Sequence, residues 1–138
     1  MNTSAPDTLL AEDSPTTAEL FLYALEASTT GVTIRVVGDG VEALDFLFSI
    51  GSALPRLVLL DLNMPRLGGL GVLERLRADE RTRALPVVIL SSSEQESDEQ
   101  EAYRLGANGY IMKPRELKES CAVIAQIERD WLRPHPPE

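Results

Sequence analysis

Hydrophobic and polar positions follow two rhythms that take turns along the chain. Short apolar or β-branched runs occupy residues 8–11, 32–37, 57–60, 85–90 and 110–112. Unbroken apolar runs of this length, bounded by turn signals, predict strands buried on both faces. Between them lie longer segments with apolar residues every three or four positions, the helical rhythm. Ser14 and Pro15 supply an N-cap and a first helical residue for a helix with the stripe Ala18, Phe21, Leu22, Leu25, ending at Thr29-Thr30-Gly31. A turn at Gly38-Asp39-Gly40 opens a second helix (Val41, Leu44, Leu47, Phe48) that ends near Gly51. Gly68-Gly69 opens a third, with Leu70, Leu73 and Leu76 inward and Glu74, Arg75 and Arg77 outward. Residues 94–105 form a fourth helix that is thinly apolar, with little beyond Ala102, Tyr103 and Leu105, before a stop at residues 106–109. Residues 116–132 form the last, with Leu117, Cys121, Ile124, Ile127 and Trp131 along one side, and Pro134, Pro136 and Pro137 prevent its continuation.

Strands that alternate with helices imply βαβ units, a parallel sheet and right-handed crossovers that place helices on both faces. The expected fold is α/β, a flavodoxin-like five-stranded sheet in the order 2-1-3-4-5. A chain of 138 residues suits one such domain over residues 8–132, with a disordered lead-in at 1–7 and a proline-rich tail at 133–138.

Composition narrows the function. Acids outnumber bases 22 to 13, for a net charge of -9, which argues against a nucleic-acid or anionic-membrane surface. No apolar run approaches a membrane span and the first residues lack a signal segment, so a cytoplasmic protein is expected. The single cysteine, Cys121, reads as a buried thiol on the last helix.

In a parallel sheet the carboxyl ends of all strands share one edge. The residues just past those ends are Glu12 and Asp13, then Asp61 with Asn63 in its loop, then Ser91, then Lys113. Clustered carboxylates resist ionising together, and a divalent cation relieves the repulsion. Oxygen donors of this kind suit Mg²⁺: Asp13 and Asp61 directly, the Asn63 carbonyl as a third ligand, and Glu12 through water. A carboxylate beside Mg²⁺, an ammonium and a hydroxyl suit phosphoryl transfer to the carboxylate, with Lys113 and Ser91 facing the phosphoryl oxygens. Pro114 fixes the backbone after Lys113, and a cis Lys113–Pro114 bond is the hypothesis it raises.

Glu12-Asp13, Asp61, Met64-Pro65, Ser91, Tyr110 and Lys113-Pro114, in this order at these strand ends, resemble the signature of a response regulator receiver domain. The resemblance covers residues 8–132. It implies that Asp61 accepts a phosphoryl group from the phosphohistidine of a sensor histidine kinase with Mg²⁺, and that the output is a contact with a downstream protein. It also implies that Ser91 and Tyr110 form the switch pair, and that the chain is no enzyme beyond its own phosphorylation and dephosphorylation. The runs 39–47 (DGVEALDFL) and 105–110 (LGANGY) and the closing Ile127, Trp131 and Leu132 are similar to single-domain regulators paired with bacterial phytochromes. That narrower resemblance implies a red-light sensor kinase as partner and a homodimer. Trp131, near the end of the last amphipathic helix, packs on its own core or in a dimer interface, and the interface is favoured because a large aromatic there gains from a partner. Ser91 stands where the family more often has Thr, and Gly68 where it often has Asp. Arg66, in the loop after Asp61, reads as a solvated charge.

Other readings fit less well. An Asp-nucleophile, Mg²⁺-dependent phosphatase usually carries a second acid two residues after the nucleophile, and here that residue is Asn63. A flavodoxin needs a phosphate cradle after its first strand, where this chain has Glu12-Asp13. A phosphate sink without output shares the chemistry of a regulator. The acidic, thinly apolar segment 94–105 has few anchors, which suits a helix whose position phosphorylation biases.

Overall fold

The computed structural model describes residues 6–28, 31–49 and 53–132. The expected helix ends at Thr29-Thr30 and Gly51 and the tail at 133–138 fall outside these residues, as does most of the lead-in. Five strands alternate with five helices: β1 (Thr8–Ala11), α1 (Pro15–Ala27), β2 (Ile34–Val37), α2 (Gly40–Ser49), β3 (Leu57–Asp61), α3 (Gly69–Ala78), β4 (Val87–Ser91), α4 (Glu96–Arg104), β5 (Gly109–Met112) and α5 (Leu117–Asp130). All strand pairs are parallel and the sheet order is β2-β1-β3-β4-β5, as the alternation predicts.

Strands β1, β3 and β4 are buried throughout, which is why they read as unbroken apolar runs. Successive residues point to opposite faces, so each strand divides its side chains between two cores. Leu9, Val58, Leu60, Val87 and Ile89 meet Ala43 and Leu47 of α2, Val72, Leu73 and Leu76 of α3 and Ala102 of α4. Leu10, Leu57, Leu59, Val88 and Leu90 meet Phe21 and Ala24 of α1 and Val123, Ile124 and Ile127 of α5. Burying one such leucine stabilises the fold by about 1.5–3 kcal/mol.

Two helices lie rotated from the stripe their apolar residues suggest. Helix α1 buries Thr17, Phe21 and Ala24, leaving Leu22 exposed at 41%. Helix α5 buries Ser120, Val123, Ile124 and Ile127, so Leu117 is exposed at 46% and Cys121 is exposed, correcting the buried thiol. The two helices pack against each other over this core. The buried Ser120 hydroxyl is satisfied by donating to the Glu116 carbonyl, 3.2 Å away. Trp131 packs partly buried against this same core.

Asp7, assigned to the lead-in, is tied to Thr33 by backbone and side-chain hydrogen bonds, and its carbonyl accepts from the amides of Arg56 and Leu57. The Lys113–Pro114 bond is trans, and no peptide bond among the described residues is cis. This corrects the hypothesis of a cis bond: proline narrows the trans preference but leaves trans the lower-energy form. No helix among the described residues is long and apolar enough to cross a membrane.

Candidate functional site

The register of the sheet assembles the site. Ala11 pairs with Leu60, so Glu12 and Asp61 leave the sheet side by side. Asp61 pairs with Leu90 and Ser91 with Met112, which brings Ser91 and Lys113 to the same edge. Backbone bonds continue the ladder past the strand ends, from the Glu12 amide to Val37, the Leu62 amide to Leu90 and the Lys113 amide to Ser91. Helix α3 starts against this edge without room to spare. A Cβ on Gly69 would lie 2.5 Å from the Asp61 carbonyl oxygen, so glycine is required there. Gly68 is the N-cap and makes no side-chain capping bond, as expected for glycine in place of a capping acid.

Glu12 and Asp61 are nearly buried at 3% exposure each, while Asp13 is exposed. One ligand oxygen from each of the three lies within 4.8 Å of the other two. Lys113 Nζ donates to Glu12 Oε2 at 3.0 Å and to Asp61 Oδ2 at 3.3 Å. Asp61 Oδ1 accepts from the Asn63 amide at 3.3 Å, and Glu12 Oε2 from the Ser14 amide at 3.1 Å. Glu12 Oε1 is buried with no hydrogen-bond partner. Burial first, then the charge of Glu12, push the Asp61 pKa up to about 7 against the pull of Lys113. Burial pulls the Lys113 ammonium down, but its hydrogen bond to Glu12 and the charges of Glu12 and Asp61 outweigh this and leave it above its ordinary value.

One ammonium thus faces three carboxylates, two of them desolvated, and a buried carboxylate oxygen lacks a partner. An unpartnered buried oxygen of this kind is costly. The donor set is all hard oxygen and fits a small divalent cation such as Mg²⁺ or Mn²⁺.

Ser91 is buried at 1% exposure and its Oγ accepts from the Ser93 amide at 2.8 Å. The half-buried Tyr110 donates its hydroxyl to the Ser93 carbonyl at 3.4 Å. The two residues singled out as a switch pair therefore meet on Ser93, whose own hydroxyl donates to Asp98 of α4 at 2.5 Å. Ser93 was not singled out in the sequence. Its signal was the Ser91-Ser92-Ser93 run before a helix start, the setting in which serine hydroxyls bond local backbone.

A model of the response regulator receiver domain matches residues 8–125. The chain belongs to this family. Over 127 residues it is 37% identical to the probable methanogenesis regulatory protein FilR2 of Methanothrix harundinacea, covering 90% of this chain and 82% of that protein. Over 128 residues it is 36% identical to response regulator Rcp1 of Synechocystis, covering 90% and 87%. The crystal structure of Mn²⁺-bound Rcp1 matches with a TM-score of 0.82 at 33% identity over 97% of this chain and 99% of that one. The phosphorylated cyanobacterial phytochrome response regulator RcpA matches with a TM-score of 0.85 at 33% identity over 96% and 98%. The family is one of phosphoacceptor switches that bind a divalent metal, and the acidic cluster of this receiver stands at the same strand edge on which the sequence motifs converge.

Proposed function

We propose that Asp61 is the phosphoacceptor of a two-component relay and takes its phosphoryl group from the phosphohistidine of a sensor histidine kinase. The observation that carries the reading is the desolvated Asp61 carboxylate held by Lys113 Nζ at 3.3 Å beside two further acids. An Asp61 oxygen attacks phosphorus, the P–N bond to the imidazole breaks, and the imidazole leaves with that bonding pair. Lys113 neutralises charge on the phosphoryl oxygens, and the Ser91 hydroxyl, freed from the Ser93 amide, donates to one of them. Asp13, Asp61 and the Asn63 carbonyl would hold Mg²⁺, with Glu12 reaching it through water. When bound, the cation supplies further neutralisation of the phosphoryl charge. Ser91 and Tyr110 act as the switch, both being bonded to Ser93 in the present state. Output is contact with a downstream protein.

Similarity to Rcp1 and RcpA supports a phytochrome as the sensor kinase. A homodimer is part of the same proposal, and equilibrium sedimentation of the free and phosphorylated chain tests it. Phosphotransfer profiling tests the main reading. A phosphorylated phytochrome kinase loses label to the wild type and not to Asp61→Asn, and an unrelated histidine kinase transfers at least tenfold more slowly. Equal transfer from both kinases refutes the phytochrome pairing, and label accepted by Asp61→Asn refutes the site.

A further inference from the structure

Arg66, read from sequence as a solvated charge, is exposed as expected and is also tied to a partner. Its φ is +66°, making it the non-glycine residue with positive φ among those described. The amide of Leu67 donates to the Pro65 carbonyl at 2.7 Å, across one residue. An i to i+2 bond with φ near +70° at its centre is a γ-turn of the rare, strained kind. Strain of this sort persists only where the surroundings hold it. Two contacts do so here, one from Asp39, just before α2, and one from Gly40, its first residue. Arg66 Nε and Nη2 donate to Asp39 Oδ2 at 3.0 and 2.9 Å. The Gly40 amide donates to the Leu67 carbonyl at 3.1 Å, and a Cβ on Gly40 would overlap that oxygen.

Asp39 is itself fixed. It is 8% exposed, and its Oδ1 accepts from the Glu42 amide at the start of α2. The clamped turn lies in the short loop between Asp61 and α3, which also carries Asn63. That loop is closed at its base by the bond from the Gly69 amide to the Leu62 carbonyl and the bond from the Asn63 amide to Asp61 Oδ1. Within it Met64 and Leu67 pack partly buried against the core, and the clamp supplies the polar anchor of the turn at 65–67.

We propose that the Asp39–Arg66 ion pair is a positioning clamp that holds the strained loop after Asp61 in its metal-binding shape, so that two residues outside the ligand set govern cation affinity. This deepens the proposed function and rests on its assignment of Asn63 as a ligand. A loop free to relax the γ-turn has more conformations open to it, and the cation must then meet the cost of selecting one. Neither residue takes part in phosphoryl transfer, so both are positioning residues.

The test titrates the full chain with MnCl₂, reading free Mn²⁺ by electron paramagnetic resonance, for wild type, Arg66→Ala, Arg66→Gly, Arg66→Lys and Asp39→Asn. Melting temperature without metal and exchange of the Gly40 amide are measured alongside. Asn still caps a helix, so Asp39→Asn keeps α2 while removing the charge. Arg66→Ala, Arg66→Gly and Asp39→Asn should bind Mn²⁺ three- to tenfold more weakly and exchange the Gly40 amide at least fivefold faster, and Arg66→Lys should recover part of both. Arg66→Gly should melt above Arg66→Ala, because glycine relieves the turn, yet bind Mn²⁺ no better. A purely structural role predicts that affinity follows melting temperature across the series, and that result overturns the clamp. So do affinities within twofold of wild type in Arg66→Ala and Asp39→Asn. A wild type that binds no Mn²⁺ overturns the metal site as well, which separates the two failures.

Discussion

Replacing Asp61 with Asn should stabilise the metal-free protein, and the size of the gain follows from the site. The Asp61 pKa is pushed from 3.8 up to about 7 by burial and by Glu12. Between those values the native state holds a proton that the unfolded chain releases. Stability therefore falls as pH rises through this window and is fully lowered above it. Three units at ~1.4 kcal/mol each set a ceiling of about 4 kcal/mol. Solvent still reaches the cluster on the side of the exposed Asp13, and screening reduces this to about 2 kcal/mol. The amide introduced by Asp61→Asn carries no charge and is nearly the same size as the carboxylate. In EDTA at pH 8 the variant should gain about 2 kcal/mol in urea unfolding, or about 6–8 °C in melting temperature for a domain of this length. At pH 5 the difference should shrink below about 1 kcal/mol, because Asp61 is then mostly protonated in the fold. An Asp61→Asn protein equal to or less stable than wild type at pH 8 without metal would show that Asp61 is not electrostatically strained, and the argument for a cation site would lose its main support.

Other outcomes follow from the same contacts. Mg²⁺ at ten times its dissociation constant should stabilise wild type by about 1.4 kcal/mol at pH 8, and a thermal shift assay should show most of this gone in Asp13→Asn, which removes a proposed ligand. Lys113→Ala removes the cation paired with the buried Glu12 and Asp61; it should cost about 2–4 kcal/mol in metal-free urea melts and slow phosphorylation by a small donor at least tenfold. Leu60→Ala opens a cavity under α2 and α3 from a fully buried position and should cost about 2–5 kcal/mol in urea unfolding, with the m-value unchanged.

Strand positions were legible because β1, β3 and β4 are buried on both faces, which leaves an apolar run with no other use. The cluster of Glu12, Asp13, Asp61 and Lys113 was legible for a related reason: parallel register carries whatever follows each strand to one edge. The faces of α1 and α5 were not. Their stripe was sought among large apolar side chains, whereas the buried faces carry the small Thr17 and Ala24 of α1 and Ser120 of α5 and leave Leu22, Leu117 and Cys121 exposed. Long-range polar contacts were equally hidden. Nothing local in the sequence couples Asp39 to Arg66, 27 residues apart, or Arg77 to Asn108, 31 apart. Arg77, expected to point outward, donates instead to the Gly106 carbonyl and to Asn108 Oδ1, and that same oxygen accepts from the amide of Val87 at the start of β4.

The central claim, that Asp61 carries the phosphoryl group, is tested most directly by intact mass after incubation with acetyl phosphate and Mg²⁺. One added phosphoryl group in wild type, removed by hydroxylamine and absent from Asp61→Asn, is the expected result. An adduct of the same mass on Asp61→Asn, or one that resists hydroxylamine, would place the phosphoryl group elsewhere and contradict the account.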